Sequence, residues 1–587
     1  MSVRSSEFCL LSFLHKMLAA IPLYTHSMCI VYKNIVNAAY SLCKMARNVK
    51  FTASIVKPDD TADDIKKNSR IRRENQAWFS TVSHNSNASG GGDSGVFVKE
   101  EKMRKKVISM LLTAAMTCTM FAGCGSETGG ESVKDTSKTA EAESNTSEQD
   151  DGQAQTITPK EGGKSGTLNL WAFTDEVPGM VQKYIEAHPD FPYQVSSTII
   201  ATTDGAYQPA LDAALKAGGK DSPDIYCAES AFVLKYTKGD MEQYAIPYED
   251  LGIDVDKETK DADIAQYTID IGTNSDGKLD ALGYQATGGA FIYRRSIAKD
   301  VFGTDDPEEI SQIIGGGSGN FDKFWEAAEK LAAKGDAIVS GDGDIWHAVE
   351  NSSEEGWLTS DGKLQIDPKR EAFLDISKNL TDKGWSNVTQ DWQDAWFADM
   401  KGTGPKPVFG FFGPAWLINY TIAKNCGGEK TGEGTYGDWA VCDSPVGFFW
   451  GGTWILANKE MDEEKKAAVR DIIDWITLQT DEDSLQYKWA NGTLNGEGGT
   501  KDAVASGTVM SKSDGSMDFL GGQNMFDYFV PANQYANGKN LTQYDESINQ
   551  IWRDQVRAYA SGQKSREDAI RDFKQTVSDN LGIEAAD

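Results

Sequence analysis

Tryptophan side chains and side-chain carboxylates are the residues of this chain whose types and positions point to chemistry. The chain has 15 Trp, and Trp392, Trp416 and Trp454 stand beside glycine or polar loop residues rather than deep inside apolar runs. Flat aromatic rings pack against the C–H faces of sugar rings, whereas planar carboxylates and amides hydrogen-bond to hydroxyl groups. The combination predicts a binding site for a polyhydroxylated molecule.

The candidate carboxylates follow predicted strands. Asp175 and Glu176 come directly after an apolar run at 167–173, and Glu229 follows a second run at 224–228. Because ligands of α/β proteins gather at the carboxyl ends of parallel strands, we expect these three side chains at the site. The amide of Gln285, in a strand-like run before a glycine-rich bend, is a further candidate.

Repeated strand, loop and helix units must position these residues, which indicates an α/β fold with parallel sheets. Strands are predicted at 167–173, 193–200, 224–228, in two runs within 282–295, at 409–416 and as a pair around Gly451 and Gly452 at 446–458. Helices are predicted at 207–217, 321–334, 369–383, 542–560 and 565–580, together with one that Asp462 caps.

Residues 103–124 have the pattern of a bacterial lipoprotein signal. A basic start is followed by an apolar run too short to span a bilayer and by small residues before Cys124. We expect a signal peptide at 103–123, lipidation of Cys124 and a flexible, polar tether at 124–165. Since such a signal lies at a protein's N-terminus, residues 1–102 are expected to be a non-native upstream extension.

The charge of the chain argues against nucleic-acid binding, which depends on basic patches. Residues 1–102 hold 14 of the 58 Lys and Arg and 9 of the 88 Asp and Glu, so residues 103–587 carry 44 basic and 79 acidic side chains. Three cysteines remain after Cys124: Cys227, Cys426 and Cys442. Buried free thiols are predicted for them, with a Cys426–Cys442 pair as the alternative. No Cys/His spacing predicts a metal site, and no cofactor is expected.

The order of several motifs resembles the extracellular solute-binding proteins of bacterial carbohydrate ABC importers, family 1, of the maltose-binding type. The motifs that carry the resemblance are Asp224-Ile-Tyr, Tyr293-Arg-Arg-Ser, Gly413-Pro-Ala-Trp416 and Gly451-Gly-Thr-Trp-Ile455 followed by Lys465-Lys-Ala-Ala468. The resemblance covers roughly residues 166–587.

The resemblance implies a type II periplasmic-binding-protein-like fold. Two lobes, each a mainly parallel sheet flanked by helices, would be joined by hinge crossovers and close on a sugar. The implied lobes are 166–283 with 448–500, and 284–447 with 501–587. Within them, Trp416 would be an aromatic platform, Trp450 or Trp454 would face the ligand beside Gly452, and Tyr284 and Gln285 would lie at the crossover.

The resemblance also implies the biological setting. It predicts a monomer, anchored by lipid on Cys124 at the extracellular face of the cytoplasmic membrane, that delivers a carbohydrate to ABC permease subunits. No enzymatic activity is expected, since the residues show no nucleophile elbow, catalytic triad order or metal-ligand spacing. A secreted glycoside hydrolase and a peptide or polyamine receptor remain the alternatives; fewer Trp and more carboxylates at the site are expected for the latter.

Overall fold

The structure is a computed structural model, and it describes residues 154–157, 165–202, 205–496 and 498–586. These residues belong to one compact unit, Ala142–Asp587. The predicted upstream extension, the signal peptide and Cys124 lie outside the described residues. So does most of the predicted tether, but Ala154–Ile157 forms a strand. The prediction of a flexible tether is therefore wrong for these residues.

Nine strands form two sheets in the part of the chain that the structure describes. In chain order they are β1 (Ala154–Ile157), β2 (Thr167–Ala172), β3 (Gln194–Ile199), β4 (Ile225–Glu229), β5 (Ala281–Gly283), β6 (Ala290–Arg294), β7 (Gly410–Gly413), β8 (Trp439–Cys442) and β9 (Thr453–Ala457). The first sheet has the order β1-β3-β2-β4-β9-β5, and the second has the order β7-β6-β8.

The pairing of these strands corrects the expectation of mainly parallel sheets. Strand β2 runs parallel to β3 and β4, but β1, β5 and β9 join the first sheet antiparallel. The named strands of the second sheet are all antiparallel. The physical reason is the chain path: β9 returns from the second sheet and enters between β4 and β5 from the opposite direction. The two parallel pairs still bring the carboxyl ends of β2 and β4 to one edge.

Helices surround both sheets. In chain order they are α1 (Glu176–Ala187), α2 (Tyr207–Ala217), α3 (Leu234–Thr237), α4 (Val255–Ala262), α5 (Gln266–Gly272), α6 (Arg295–Phe302), α7 (Pro307–Ile314), α8 (Asp322–Lys334), α9 (Gly343–Ser352), α10 (Pro368–Asp382), α11 (Asp394–Lys401), α12 (Ala415–Leu417), α13 (Ala423–Asn425), α14 (Lys466–Thr477), α15 (Leu485–Ala490), α16 (Gly507–Met510), α17 (Phe526–Ala532), α18 (Asp545–Ala560) and α19 (Arg566–Leu581). A π-helical turn, Ile418–Ile422, joins α12 to α13.

Each sheet has its own apolar core, so the molecule has two lobes, named here after the first and the second sheet. The first core includes Leu170 of β2 and Ile472 of α14, both fully buried. The second includes Phe291 of β6 together with Trp552 of α18 and Phe573 of α19. The last two helices therefore belong to the second lobe. The exact boundaries of the lobes remain a prediction.

The strand pair predicted around Gly451 and Gly452 is wrong in its first half. Only β9 is a strand, and the preceding residues are irregular apart from a single bridge between Gly288 and Phe449. Phe448 packs in the second lobe's core, whereas Phe449 packs in the first lobe's core. The apolar run therefore reflects a chain that crosses between two cores, not a strand.

Most other predicted elements are confirmed, including β2, β3, β4, α2, α8, α10, α18 and α19. The prediction that Asp462 caps a helix is wrong. A 3₁₀ turn, Glu463–Lys465, precedes α14, and the Asp462 side chain accepts no capping hydrogen bond. Strand β8 was not predicted, because its sequence, Trp-Ala-Val-Cys, is too short to show a period.

Cys227, Cys426 and Cys442 are buried free thiols, as predicted. None of the helices that the structure describes is both long enough and apolar enough to cross a bilayer. The described residues also contain no cluster of three or more His, Cys, Asp or Glu side chains that would hold a metal ion.

Candidate functional site

Two chain segments cross between the lobes and fix the floor of the candidate site. One links β5 to β6 and contains Thr287; the other precedes β9 and contains Trp450 and Gly451. The Trp450 N–H donates to the Thr287 carbonyl oxygen at 3.1 Å, and the Thr287 hydroxyl donates to the Gly451 carbonyl oxygen at 3.0 Å. The hydroxyl of the fully buried Thr287 also accepts a hydrogen bond from the Tyr267 hydroxyl at 3.0 Å, since its own proton is used on Gly451. These contacts tie the crossings together.

An aromatic cluster lies on this floor: Trp392, Trp416, Trp450, Tyr420 and His347. The Trp392 and Trp416 rings are nearly parallel, at 11° with centroids 6.2 Å apart. Trp450 stands across both, at 69° to Trp392 and 66° to Trp416. His347 stacks on Trp450 with centroids 4.5 Å apart. The three indoles therefore form one contiguous aromatic surface, with two nearly parallel rings and a third across both.

A hydrogen bond orients the Trp416 indole, and the backbone of Trp392 has a strained conformation. The Trp416 indole N–H donates to the Trp450 carbonyl oxygen at 3.0 Å, and a Cβ at Gly451 would lie 3.4 Å from the Trp416 ring. Trp392 has φ of +65°, a conformation that a bulky residue adopts at an energetic cost. It is also 43% exposed. A large apolar ring held outward in a strained conformation is a feature of binding sites rather than of cores.

One group of carboxylates lies at the end of β2. Glu176 opens α1, and the Tyr284 hydroxyl donates a hydrogen bond to it. Burial raises the pKa of Glu176 to about 8, with Asp502 and Asp175 adding to the effect. Burial likewise raises the pKa of Asp502 to about 6. Near pH 7, Glu176 is therefore mainly a neutral acid that can donate a hydrogen bond.

Tyr420 lies between these carboxylates and the rest of the aromatic cluster. The pKa of the Tyr420 phenol is raised by burial and then by the charges of Glu176 and Asp175. Its ring lies 6.4 Å from that of Trp416. Tyr420 belongs to the second lobe and Glu176 to the first, so this pair spans the junction between the lobes.

A second group of carboxylates surrounds His347. Glu229 accepts hydrogen bonds from the Ser230 hydroxyl and the Ala231 N–H, both at 2.8 Å, while burial raises its pKa and His347 opposes that shift. The pKa of Glu546 is raised by partial loss of hydration and by the charges of Glu229 and Glu350, although the residue is exposed. The cluster thus has acidic groups of both lobes at its edge.

The sequence-predicted residues differ in where they lie relative to the aromatic cluster. Trp392, Trp416 and Trp450 form the aromatic cluster, and Asp175, Glu176 and Glu229 lie at the shared edge of β2 and β4. Gly452 contributes backbone: its carbonyl oxygen accepts a hydrogen bond from the Ser230 N–H at 3.1 Å. Gln285 is buried, and its amide donates to Asp502 at 2.9 Å, so it supports a carboxylate.

Two predicted residues lie in the core instead. Trp454 is 1% exposed, and its indole N–H donates to the Thr268 carbonyl oxygen at 3.0 Å. Its β9 neighbours point it into the first lobe, so we leave it out of the proposed site. Tyr284 is fully buried and reaches the site only through Glu176.

Sequence reasoning missed His347, Tyr420, Asp502 and Glu546. His347 lies on α9 and faces Trp450. The others are polar residues of segments whose partners are distant in the chain. A sequence signal exists only for Glu546, which shares one face of α18 with Asn549 and Arg553.

Two α/β lobes, joined by crossing segments and carrying an aromatic and acidic site at their junction, define a two-lobed binding protein. A sequence profile described as "Bacterial extracellular solute-binding protein" matches residues 179–517. The chain belongs to this family. No curated protein sequence matches the chain significantly.

Solved structures share the fold, although their sequences are distant. A crystal structure of an extracellular solute-binding protein of family 1 has a TM-score of 0.56 and 18% identity, covering 70% of this chain and 99% of that chain. The galacto-N-biose-/lacto-N-biose I-binding protein from Bifidobacterium longum has a TM-score of 0.54 and 17% identity, covering 73% of this chain and 100% of that chain. The sugar-binding protein MalE from Xanthomonas citri has a TM-score of 0.52 and 16% identity, covering 71% and 97%. The predicted two-lobed α/β fold is thereby confirmed.

Proposed function

We propose that the protein is the substrate-binding component of an ABC importer and captures a sugar or oligosaccharide between its lobes. The observation that carries the proposal is the aromatic cluster of Trp392, Trp416 and Trp450, flanked by carboxylates of both lobes. Indole faces suit the apolar side of a sugar ring, and carboxylates suit its hydroxyls. The similar structure from Bifidobacterium longum belongs to an ABC transporter and holds lacto-N-biose, which supports the proposal.

The proposed mechanism is closure of the lobes around the sugar. The ring stacks on the aromatic cluster, while Glu229, Asp175 and Glu176 of the first lobe bind its hydroxyls. Because the solute then contacts both lobes, it binds the closed arrangement more tightly than the open one and shifts the population towards closure. The closed form would dock on a membrane permease and deliver the sugar.

The proposal includes location and the absence of catalysis. The chain would be held by lipid on Cys124 at the extracellular face of the cytoplasmic membrane, as a monomer. It would bind without chemistry, which a measurement of product release tests. A globomycin-sensitive shift in the mass of the native protein tests the lipid anchor.

A second candidate ligand class is favoured by the acidic groups themselves. Glu229 and Glu350 lie close enough to Glu546 to influence its ionisation, an arrangement that also suits a polyamine. A thermal-shift screen of mono- and oligosaccharides, with spermidine and short peptides included, separates these ligand classes. Product release is measured in parallel: stabilisation without turnover supports a sugar receptor, and turnover contradicts it.

Removal of an indole from the cluster gives the direct test. Trp392→Ala and Trp416→Ala should each weaken binding of a saccharide found in the screen by about 2 kcal/mol, roughly thirtyfold in Kd, because the stacked ring is lost. Isothermal calorimetry measures the Kd. Trp325→Ala on α8, where the ring stacks on Trp385 away from the cluster, is the matched control and should keep the wild-type Kd. Unchanged affinity in both cluster variants would remove the cluster from the site.

A further inference from the structure

The polar residues of α18 occupy one face of that helix. Glu546, Asn549, Arg553 and Arg557 follow one another at intervals of three or four residues, the spacing that places side chains on one side of an α-helix. The adjacent side carries Ile548, Trp552 and Val556, which are all fully buried in the second lobe's core. The helix is therefore fixed by its apolar side and presents a polar row elsewhere.

The C-terminal half of this row holds the segment that carries Trp392. Arg553 donates to the Asp391 carboxylate at 2.5 Å, and Arg557 lies 3.5 Å from the same oxygen. The Asp391 side chain is largely buried, with 14% of its surface exposed. Arg553 and Arg557 hold the pKa of Asp391 below its usual range despite that burial. Asp391 immediately precedes Trp392, whose φ of +65° needs such a restraint.

The middle of the row holds His347. The Asn549 amide donates to Glu350 at 2.5 Å, and its oxygen accepts from the Trp357 indole at 2.7 Å. Glu350 in turn lies 3.4 Å from Nδ1 of His347. His347 stacks on Trp450, so this chain of contacts runs from α18 to the base of the aromatic cluster.

Glu546 begins the row and differs from its neighbours. Within the described residues its side chain is exposed and has no hydrogen bond or ion pair, although Glu229 of the first lobe, Glu350 and Arg553 lie near enough to influence its ionisation. The Asn549 amide N–H is bound to Glu350, and an Arg553 N–H is bound to Asp391. Glu546 has its oxygens available at the junction between the lobes.

We infer that this face of α18 builds one side of the solute site: Arg553 and Asn549 position Trp392 and His347 through Asp391 and Glu350, and Glu546 binds the solute itself. The chemistry assigned to Glu546 is acceptance of hydrogen bonds from hydroxyl or amino groups of a saccharide. Its role rests on the proposed function. The positioning role of Arg553 and Asn549 does not depend on which solute binds.

The positioning role is tested without any solute. Protein labelled with 5-fluorotryptophan gives one ¹⁹F resonance per Trp, and Trp392→Phe identifies that of Trp392. In Arg553→Gln this resonance should shift and narrow towards that of a mobile, solvated indole, whereas Arg553→Lys should restore part of its position. Asp554→Asn, on another face of the same helix, is the matched control. A Trp392 resonance that stays unchanged in Arg553→Gln overturns the positioning role.

The role of Glu546 is tested with a saccharide that the thermal-shift screen selects. Glu546→Gln should raise its Kd about tenfold or more, because hydrogen bonds to a charged acceptor are lost, with the melting temperature unchanged. Asp554→Asn should leave the Kd unchanged. If Glu546→Gln binds as tightly as the wild type, Glu546 is not a solute contact. If no saccharide binds wild-type protein, the proposed function and the role of Glu546 fail together, and the ¹⁹F result alone decides the positioning role.

Discussion

At the scale of single residues, the contact between Tyr284 and Glu176 shows how the core supports the site. Tyr284 is fully buried, and its hydroxyl donates to Glu176. Glu176 loses water on folding, and its pKa rises to about 8. A partly buried carboxyl group needs its hydrogen-bond partner, because without one the cost of its lost hydration is not offset.

Tyr284→Phe tests this dependence. The substitution removes one hydroxyl and preserves the ring, so the lost hydrogen bond should lower the free energy of unfolding by about 1 to 3 kcal/mol. Calorimetric melting of the wild type and variant measures the change. In the double variant Tyr284→Phe/Glu176→Gln the two effects should not add, since they act on one contact. Additive losses would show that the hydroxyl and carboxyl groups act independently.

At the scale of elements, the crossing segments depend on glycine. A Cβ at Gly289 would collide with the Phe448 ring, and Phe448 is fully buried. The Gly289 N–H also donates to the Phe448 carbonyl oxygen at 2.8 Å. The two crossings therefore lie in direct contact at this point, where one extra carbon atom has no space.

Gly289→Ala should destabilise the protein by about 1 to 3 kcal/mol, because the buried Phe448 ring must shift. Gly179→Ala is the matched control: Gly179 lies in α1, and a Cβ there meets no atom within 4 Å. That control should be more stable than the wild type by about 0.5 to 1 kcal/mol, since alanine favours helix. Thermal unfolding measures both changes. Equal stability of Gly289→Ala and the wild type would mean that the crossings can separate without cost.

Local pattern explains which elements the sequence predicted. Helix α2 was predicted at its observed bounds because its apolar spacing is that of a helix and glycines follow it. The crossing before β9 was mistaken for a strand because Phe448 and Phe449 serve different cores. No local period distinguishes a run buried by one sheet from a run that passes between two cores.

At the scale of the whole molecule, site residues that follow from a local pattern can be predicted from the sequence, and those that depend on packing between distant segments cannot. Asp175 and Glu229 follow from the rule that parallel strands end at one edge, and β2 and β4 obey it. Glu546 approaches Glu229 only because α18, more than 300 positions further along the chain, packs on the second lobe. Such a meeting depends on how two lobes are joined, which no single segment encodes.

Buried and partly buried carboxyl groups with raised pKa values occur in both lobes and should set the pH dependence of the protein's stability. Burial raises the pKa of Glu176 to about 8 and that of Asp280 in the first lobe to about 7. It also raises the pKa of Asp344 in the second lobe to about 7, although the Trp396 indole and the Gly341 N–H oppose the shift. In the unfolded chain these groups lose their protons near pH 4.

Stability should therefore fall as pH rises from about 5 to 8. In that range the folded protein keeps protons that the unfolded chain has released, so each rise in pH favours unfolding until the folded pKa values are passed, at a cost of order a few kcal/mol per group. The melting temperature at pH 5, 6, 7 and 8 measures this.

Glu176→Gln and Asp344→Asn should flatten the decline. Asp568→Asn should not, because Arg571 and Ser565 hold the pKa of Asp568 low and its carboxylate is ionised in both states over this range. A melting temperature that rises between pH 5 and 8 would show that these carboxyl groups are ionised in the folded protein, and hence that their burial is relieved by water or by a bound cation.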